Sequence, residues 1–488
     1  MEPAEYTLAE ALKSNGYRTG IFGKWHLGDC YPMRPMDQGF DVSLVHRGGG
    51  IGQSSDPVDH QGHYTNAVLY KNGKRTPTKG YCTDVYFDEA IGFIKNSKSS
   101  GKPFFTYIAT NAPHGPFHDV PEGLYKDYKS KPEALKKIIK DNPQNMDRSL
   151  DQLARISAMI TNIDDNVGKL FEFLESESLL ENTLVIFLVD NGPNSWRYVG
   201  NLRGKKTLVH EGGIRSPIWF HWPKTLKAGT TVNKVAAHID IMPTVLEACR
   251  SKLTNDVKLD GRSLLGLLKQ ESVEWPERNI VIQTHRGNRP FRYHHFMIRD
   301  SRYKLLHPSG FSRESFQGKP KFELYDLQND PGESKNLIDE EPEIAKRLIR
   351  EYDQWFDDVS ATRENNYLPP RIIVGSPHER QTTLTRQDWR VEKKGNNVGK
   401  WRLDSVSGKS FQAKVTFRKP VQNGVVILQV GSKAIKKTLA ANPASQVTFG
   451  SIIIPKGHQD ISATFVQQES KDAAVAAYQI ELSMNSEK

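Results

Sequence analysis

The sequence predicts an α/β protein built on a doubly wound, mostly parallel sheet, followed by a small antiparallel α+β unit and an appended β-sandwich. Three observations carry that prediction. Phe104–Ala109 and Leu184–Val189 are continuous apolar runs rather than alternating ones, the pattern of strands buried on both faces of a central sheet. Strand-like runs and amphipathic helical stretches alternate through about residue 250, which is the signature of helices packed on both faces of such a sheet. Beyond about residue 278 the texture changes to short strands punctuated by turn residues, the texture of antiparallel sheets.

Taken in order, residues 6–16 read as an amphipathic helix with Leu8, Ala11 and Leu12 on one stripe and Gly16 closing it. Residues 17–22 read as a short strand that leads into Gly23-Lys24-Trp25-His26-Leu27-Gly28. The stretch 29–80, rich in Gly, Pro and Asp, reads as a long excursion that shapes a pocket. A helix at about 84–97, the strand 104–109 and a polar loop through Ala112-Pro113-His114 follow. A long helix is expected at 148–177, with Leu150, Leu153, Ile156, Ile160, Ile163, Val167 and Leu170 on its apolar face. Its Asp164-Asp165 pair diverges around the helix and reads as a solvated face.

The run Leu184–Val189 stops at Asp190-Asn191-Gly192-Pro193, where Gly and Pro force a turn. Further elements are expected as a strand at 218–223, a helix at 235–250, four short strands between 280 and 325, and a helix at 341–356. Residues 382–486 read as a β-sandwich. The domain layout is therefore a catalytic core at 1–258, a second subdomain at 259–358, a linker at 359–381 and the sandwich at 382–488.

The chain has 488 residues, 37% hydrophobic and 25% charged, so two or three domains with full cores are expected. Net charge is +10, from 67 basic and 57 acidic residues, which favours anionic substrates or surfaces. The basic residues are scattered, and no Lys/Arg tract with interleaved aromatics marks a nucleic-acid groove. No apolar run approaches the roughly 20 residues that span a bilayer. Met1-Glu2-Pro3-Ala4-Glu5 lacks the basic and apolar regions of a signal peptide, so no export address is expected as encoded. Cys30, Cys82 and Cys249 give neither a disulfide framework nor a metal-knuckle spacing.

Chemistry is expected where strands end, because ligands of open α/β sheets bind beyond the carboxyl ends of the strands. Lys24 and His26, two apart in extended backbone, face the same side and suit an anion clamp with a proton donor. His114 is delivered to the same rim by the second strand. Asp190 and Asn191 offer a carboxylate and an amide oxygen, a pair suited to a hard cation.

Gly23-Lys24-Trp25-His26-Leu27-Gly28, Ala112-Pro113-His114, Asp190-Asn191-Gly192 and Arg203-Gly204…Lys206…Glu211-Gly212-Gly213-Ile214-Arg215 stand in the order seen in type I sulfatases. The chain resembles arylsulfatases of the alkaline-phosphatase-like superfamily over about residues 5–350. The run from Glu323 to Leu337 resembles that family's C-terminal subdomain, and the sandwich lies outside the resemblance. By position, the resemblance implies that Lys24 and Lys206 bind sulfate oxygens and that His26 supports a covalent nucleophile. His114 would act on the leaving oxygen or ligate the sulfate, and Asp190 and Asn191 would ligate Ca²⁺. Lys206 is preferred to Lys205 because it lies five residues before Glu211. The implied substrate is a small-molecule or carbohydrate sulfate ester, and relatives of this kind are commonly periplasmic, secreted or lysosomal.

The family's nucleophile is a formylglycine made from a Cys or Ser in a C/S-x-P-S/A-R motif, ahead of the Gly-Lys-Trp-His-Leu-Gly stretch. Both that motif and an acidic pair of metal ligands would fall before residue 1, so Ca²⁺ binding is expected to be weak or absent. A start shifted from that of an exported sulfatase is the expected reason. Loss of a central strand would also leave apolar faces uncovered. Cys30-Tyr31-Pro32-Met33-Arg34 meets the minimal spacing but follows Lys24 and His26, and Pro35 and Gly39 deny it the helix the motif needs. It reads as a chance match. The alternative reading is a catalytically inactive anion- or glycan-binding protein, with Trp389 and Trp401 as sugar-stacking or core tryptophans. A phosphatase or phosphodiesterase of the same superfamily is disfavoured for want of an Asp/His-rich two-metal set.

Overall fold

The computed structural model describes all residues except 1–3, 54, 59–61, 140–143, 288, 362–367, 369, 392–397, 468–473 and 486–488. Its principal sheet has five strands, β1 (Arg18–Lys24), β2 (Val42–His46), β3 (Val68–Lys71), β4 (Lys74–Pro77) and β5 (Phe104–Ala109), in the order β4-β3-β2-β1-β5. β1 is central and runs parallel to both β2 and β5, and its five inner residues are all buried. β3 and β4 form an antiparallel hairpin on the edge. These strands β2 to β4 lie inside the stretch expected to be irregular. They were hidden because β3 and β4 are short and carry Lys, Asn and Gly at their turn, so neither shows a clean period.

The helix Leu8–Ser14 begins with a reciprocal cap: the Glu10 amide donates to Thr7 Oγ1 at 3.1 Å and the Thr7 amide to Glu10 Oε2 at 2.7 Å. It packs with Ile241–Ala248 on one face of the sheet, where Leu12, Val245 and Leu246 meet Phe105 and Ile186. Cys82–Ser99 and Met146–Ser176 cover the other face, placing Tyr86, Phe93, Leu153 and Met159 against Phe22 and Leu44. Each such side chain contributes about 1.5–3 kcal/mol by leaving water. Asp164 and Asp165 are exposed on the long helix, as expected, but Ile160 is exposed too rather than in the core. The helix expected at 235–250 is shorter, because a 3₁₀ turn at His238–Asp240 precedes it and Arg250 adopts a left-handed conformation just past it.

The apolar run at 184–189 is a second departure. β6 (Val185–Leu188) pairs with β7 (Ile218–His221), antiparallel, in a two-stranded sheet of its own. Phe187, Leu188 and Trp219 are 41, 44 and 56% exposed, and Tyr107 on β5 is 47% exposed. β5 and β6 pack into the same two helical layers yet share no ladder. Among the described residues no strand lies between them, so the doubly buried strand expected here is half-covered.

The second subdomain is an antiparallel sheet of β8 (Ile280–Gln283), β9 (Phe296–Arg299), β10 (Tyr303–His307) and β11 (Glu323–Asp326), in the order β11-β10-β9-β8. The helix Pro342–Ser360 packs Leu348 and Tyr352 onto Phe296 and Leu305. The sandwich has one sheet of β12 (Ile372–Val374), β14 (Trp401–Ser405), β19 (Gly457–Gln467), β16 (Gly424–Val430) and β17 (Lys433–Leu439), with β20 (Ala474–Ala476) beside β19. The other sheet is β13 (Gln381–Thr385), β21 (Gln479–Met484), β15 (Ser410–Val421) and β18 (Ala444–Ile453). The expected linker therefore ends earlier than 381, since Ile372–Val374 is already a sandwich strand with Ile372 and Val374 in its core; positions 362–367 and 369 lie outside the described residues.

Trp401 is a core residue whose Nε1 donates to Thr385 O at 2.5 Å. Trp389 is packed between Trp401, at 6.3 Å, and the Arg386 guanidinium, at 4.6 Å. Neither ring offers a free stacking face. The sandwich also grips the excursion at 29–56: Tyr31 stacks on His378 at 4.9 Å and Arg34 pairs with Glu379 at 3.3 Å.

Candidate functional site

Because β1, β2 and β5 are parallel and in register (Lys24 opposite His46, Gly23 opposite Val45 and Ala109), all three strands end at one rim. Gly23 makes this possible: a side-chain carbon there would lie 2.0 Å from Ala109 O. Beyond the rim, the amides of Trp25 and His26 each donate, at 2.9 Å, to the carbonyls of His46 and Arg47. His26 takes a left-handed conformation (φ 56°), so it is a turn residue and not the extended one expected from the Lys24-x-His26 spacing. Its imidazole nevertheless stands close enough to Lys24 and His114 for both to act on its charge.

His114 arrives from the loop after β5. Its amide donates to Asn111 O at 2.9 Å and its carbonyl accepts from Tyr64 Oη at 2.6 Å, which fixes the loop on both sides. Between the two imidazoles lies the run Gly48-Gly49-Gly50. A side-chain carbon on Gly49 would sit 2.6 Å from His26 Cε1, and one on Gly50 would sit 2.7 Å from His114 Nδ1. Only glycine lets this backbone lie so close to both rings. The Gln53 side chain borders the same two positions. The triple glycine was the signal in the sequence, and it passes unremarked there as ordinary loop composition.

Beneath the loop, His46 Nε2 donates to the Asp56 carboxylate, and the Gly52 amide donates to the same group at 2.5 Å. The Asn111 side-chain nitrogen stands 3.2 Å from His46 Nδ1 and its oxygen accepts from Tyr86 Oη at 2.8 Å. This buried chain ties β2, the glycine loop and the His114 loop together.

Lys206 reaches the rim from the other side. Its amide donates to Pro193 O at 2.8 Å, just past Asp190-Asn191-Gly192. The turn is held from the second subdomain, where His295 Nε2 donates to Thr207 O at 2.7 Å and His295 Nδ1 accepts from the Gly310 amide at 3.0 Å. Burial lowers the pKa of His295, consistent with the neutral tautomer this geometry needs. Lys205 Nζ instead lies over the Trp196 ring at 5.1 Å, so the neighbouring lysine points elsewhere.

The charges confirm the convergence in space. Burial lowers the Lys24 pKa; Asp190 opposes that shift and Lys206 adds to it. Burial likewise lowers the His26 pKa, with Lys24, His46, His114 and Arg286 adding to the effect. Arg286, from the loop after β8, is a further cation at this rim that the sequence did not single out. Its guanidinium lies over Phe311 at 5.1 Å, and it makes no ion pair with a described residue. The structure thus brings Lys24 close to Asp190 and Lys206, and His26 close to Lys24 and His114. A preorganised set of this kind stabilises an oxyanion.

Asn191 donates from Nδ2 to Gly192 O at 2.9 Å, which leaves its side-chain oxygen free beside the exposed Asp190. Even with both carboxylate oxygens of Asp190 counted, these two side chains offer about three, well short of the roughly 6–8 oxygens that Ca²⁺ takes. Among the described residues no group of three or more His, Cys, Asp or Glu could hold a metal. The donor set present does not by itself make a Ca²⁺ site. Cys30 is not part of the rim. It lies buried in the sandwich core cluster, with Sγ 3.6 Å from Thr383 O, and burial pushes its thiol pKa well up.

Residues 3–251 match the family model described as Sulfatase, about half of the chain, and residues 204–357 match the N-sulphoglucosamine sulphohydrolase C-terminal model. The chain belongs to the sulfatase family. It is a type I sulfatase of the alkaline-phosphatase superfamily. It is 28% identical to the uncharacterized sulfatase YdeN of Escherichia coli over 57% of this chain and 49% of that protein, so it spans about half of that relative's length. It is 24% identical to an N-acetylglucosamine-6-O-sulfatase of Bacteroides thetaiotaomicron, over 79% of this chain and 76% of that one. Among solved structures it is similar to Ps i-CgsB in complex with k-i-k-neocarrahexaose, with 26% identity and a TM-score of 0.59 over 72% of this chain and 74% of that one. Among the described residues, no helix of the sulfatase chain is long and apolar enough to cross a membrane.

Proposed function

We propose that this chain binds the sulfate group of a sulfated carbohydrate at the strand-end rim, as the anion-holding part of a sulfuric ester hydrolase. The observation that carries the reading is the convergence of Lys24, His26, His114 and Lys206 from three separate stretches of chain. Two of the similar proteins support the carbohydrate: one is an N-acetylglucosamine-6-O-sulfatase and the other is bound to k-i-k-neocarrahexaose.

In this reading Lys24 and Lys206 hold the sulfuryl oxygens, whose charge is redistributed as the S–O bond breaks. His26, kept neutral by burial and by the surrounding cations, hydrogen-bonds at the position where the attacking group stands. His114 donates a proton to the departing oxygen of the sugar. Arg286, whose charge acts on His26 and which pairs with no carboxylate among the described residues, binds a second anionic substituent.

A second reading, an anion- or glycan-binding protein without turnover, is favoured by one observation: Cys30, the sole cysteine in a Cys-x-Pro-x-Arg spacing, is buried away from the rim. Calorimetric titration with inorganic sulfate and with glucosamine 6-sulfate, alongside hydrolysis of the same sugar followed by sulfate release, separates the two. Sulfate release supports the hydrolase, and binding without release supports the second reading. No binding of either ligand removes both.

A further inference from the structure

The sandwich sits far from the rim in sequence, yet one of its side chains ends on the loop that carries Gly49 and Gly50. Tyr478 Oη donates to Asp56 O at 2.9 Å and lies 3.4 Å from Gln53 O, and Tyr478 is 422 positions from Asp56 along the chain. Tyr478 is itself buried, beneath the Arg418 guanidinium at 5.0 Å from its ring. We propose that Tyr478 is a positioning residue for the sulfatase site, and that the β-sandwich works as a brace that holds the glycine loop against His26 and His114.

The path is short and fully described. Tyr478 fixes the carbonyls of Gln53 and Asp56; the Asp56 carboxylate fixes the Gly52 amide and His46; and Gly49 and Gly50 then lie in contact with the two imidazoles. Residues 48–52 contain four glycines, which on their own order poorly because glycine has the most backbone freedom to lose. An external anchor offsets that cost. Burial raises the Tyr478 pKa, so its hydroxyl keeps the proton it donates. Further contacts of the sandwich, such as Arg34 with Glu379, Tyr31 with His378 and Asp29 with Thr385, fall on the same excursion but earlier in it, so they secure the domain without touching the loop.

The test compares Tyr478→Phe, which removes only the hydroxyl, with Arg34→Met, which breaks the ion pair at the same interface. In Tyr478→Phe the amides of Gly52 and Gln53 exchange with solvent about 3- to 10-fold faster, the effect of losing one neutral hydrogen bond. By NMR the His26 titration midpoint moves up toward its ordinary value as the loop loosens and water returns. Arg34→Met lowers the melting temperature and leaves both readouts unchanged. Asp56→Asn cuts the same path from the loop side and reproduces the faster exchange, which keeps the test decisive should Tyr478→Phe fold poorly. Exchange within twofold of the parent in Tyr478→Phe and Asp56→Asn, with an unmoved His26 midpoint, overturns the brace. The proposal rests on the sulfatase reading only for the identity of the anion: failure of the parent to bind sulfate would overturn that reading while the exchange data still judged Tyr478.

Discussion

The ion cluster that joins the two sulfatase subdomains gives a prediction whose size follows from the structure. Lys304 Nζ lies 2.9 Å from Glu211 Oε1 and 2.8 Å from Glu333 Oε1, and all three side chains are buried. Glu333 Oε2 also accepts from the Glu211 amide at 2.7 Å. Lys304→Met keeps the length and apolar stem but leaves two carboxylates facing each other out of water. Arg299, 3.5 Å from Glu211 Oε2, relieves one of them in part. Removing one partner of a buried pair costs about 3–5 kcal/mol. A loss of about 3 kcal/mol, the low end, is therefore expected for this variant, read from urea unfolding followed by fluorescence. The triple variant Lys304→Met, Glu211→Gln, Glu333→Gln removes the uncompensated charge and should recover at least half of that loss, because an ion cluster replaced as a whole costs far less than one broken. Glu211 heads the short helix after the Lys206 turn, so sulfate affinity should fall with the single variant and return with the triple one. A loss below about 1 kcal/mol, or a triple variant no more stable than the single, would refute this account of how the subdomains are joined.

The adjacent lysines separate by direction: Lys206→Ala should weaken sulfate binding by about 10- to 100-fold, the worth of one charge-assisted hydrogen bond, while Lys205→Ala, whose ammonium lies over Trp196, should change it less than about threefold; equal effects would sink the assignment. The pH dependence follows from His26, whose pKa is held low in the free protein by burial and by nearby cations. A bound anion raises it, so binding takes up a proton and affinity increases as pH falls, by up to about tenfold for each unit by which the anion raises that pKa; titration calorimetry at pH 5.5 and 7.5 in buffers of different ionisation heat checks the sign. Cys30 should resist a thiol reagent in the native protein and react on unfolding, and its tryptic peptide should carry an unmodified cysteine; a formylglycine mass there would overturn its structural role. The exposed apolar side chains at β5 to β7 should bind the dye ANS, and Phe187→Ser with Trp219→Ser should lower that signal by at least half, dye binding unchanged by the pair counting against an uncovered sheet surface.

Much of the fold was legible because burial wrote it into the sequence. The run Phe104–Ala109 is a strand over the same residues, and the helix expected at 148–177 runs over Met146–Ser176. The short strands of the second subdomain are where alternation put them. Legibility failed where geometry depends on residues far apart in the chain. β3 and β4 are strands because a hairpin and a neighbour complete them, and nothing in Lys74–Pro77 says so. Lys24, His26, His114, Asp190 and Lys206 could be named from local motifs. Their supports could not: His295 acts on Thr207, Tyr478 on Asp56 and Arg286 on His26, each from a different domain or subdomain. A strand end announces a site; the groups that hold it still come from wherever the fold brings them.

One place where sequence and structure disagree over burial is especially informative. Leu184–Val189 is written as a strand covered on both faces, and helical layers do stand on both sides of it: Ile186 packs with Leu12 and Val245, and Val185 with Leu153 and Met159. Among the described residues the strand has no lateral neighbour other than β7. Likewise β5 pairs only with β1 among the described residues, and its Tyr107 is exposed. Strand edges and apolar side chains left open side by side are costly in water, since unpaired amides and carbonyls invite pairing with whatever extended chain is near. The two layers of helices hold β5 and β6 in one core while the ladder between them is absent, so the surface between them is where the apolar content of this sequence exceeds what the described residues cover. Asp190 and Asn191 stand at the end of that same strand. Among the described residues, the sparse oxygen donors at Asp190 and the exposed apolar side chains of β6 therefore belong to one end of one strand.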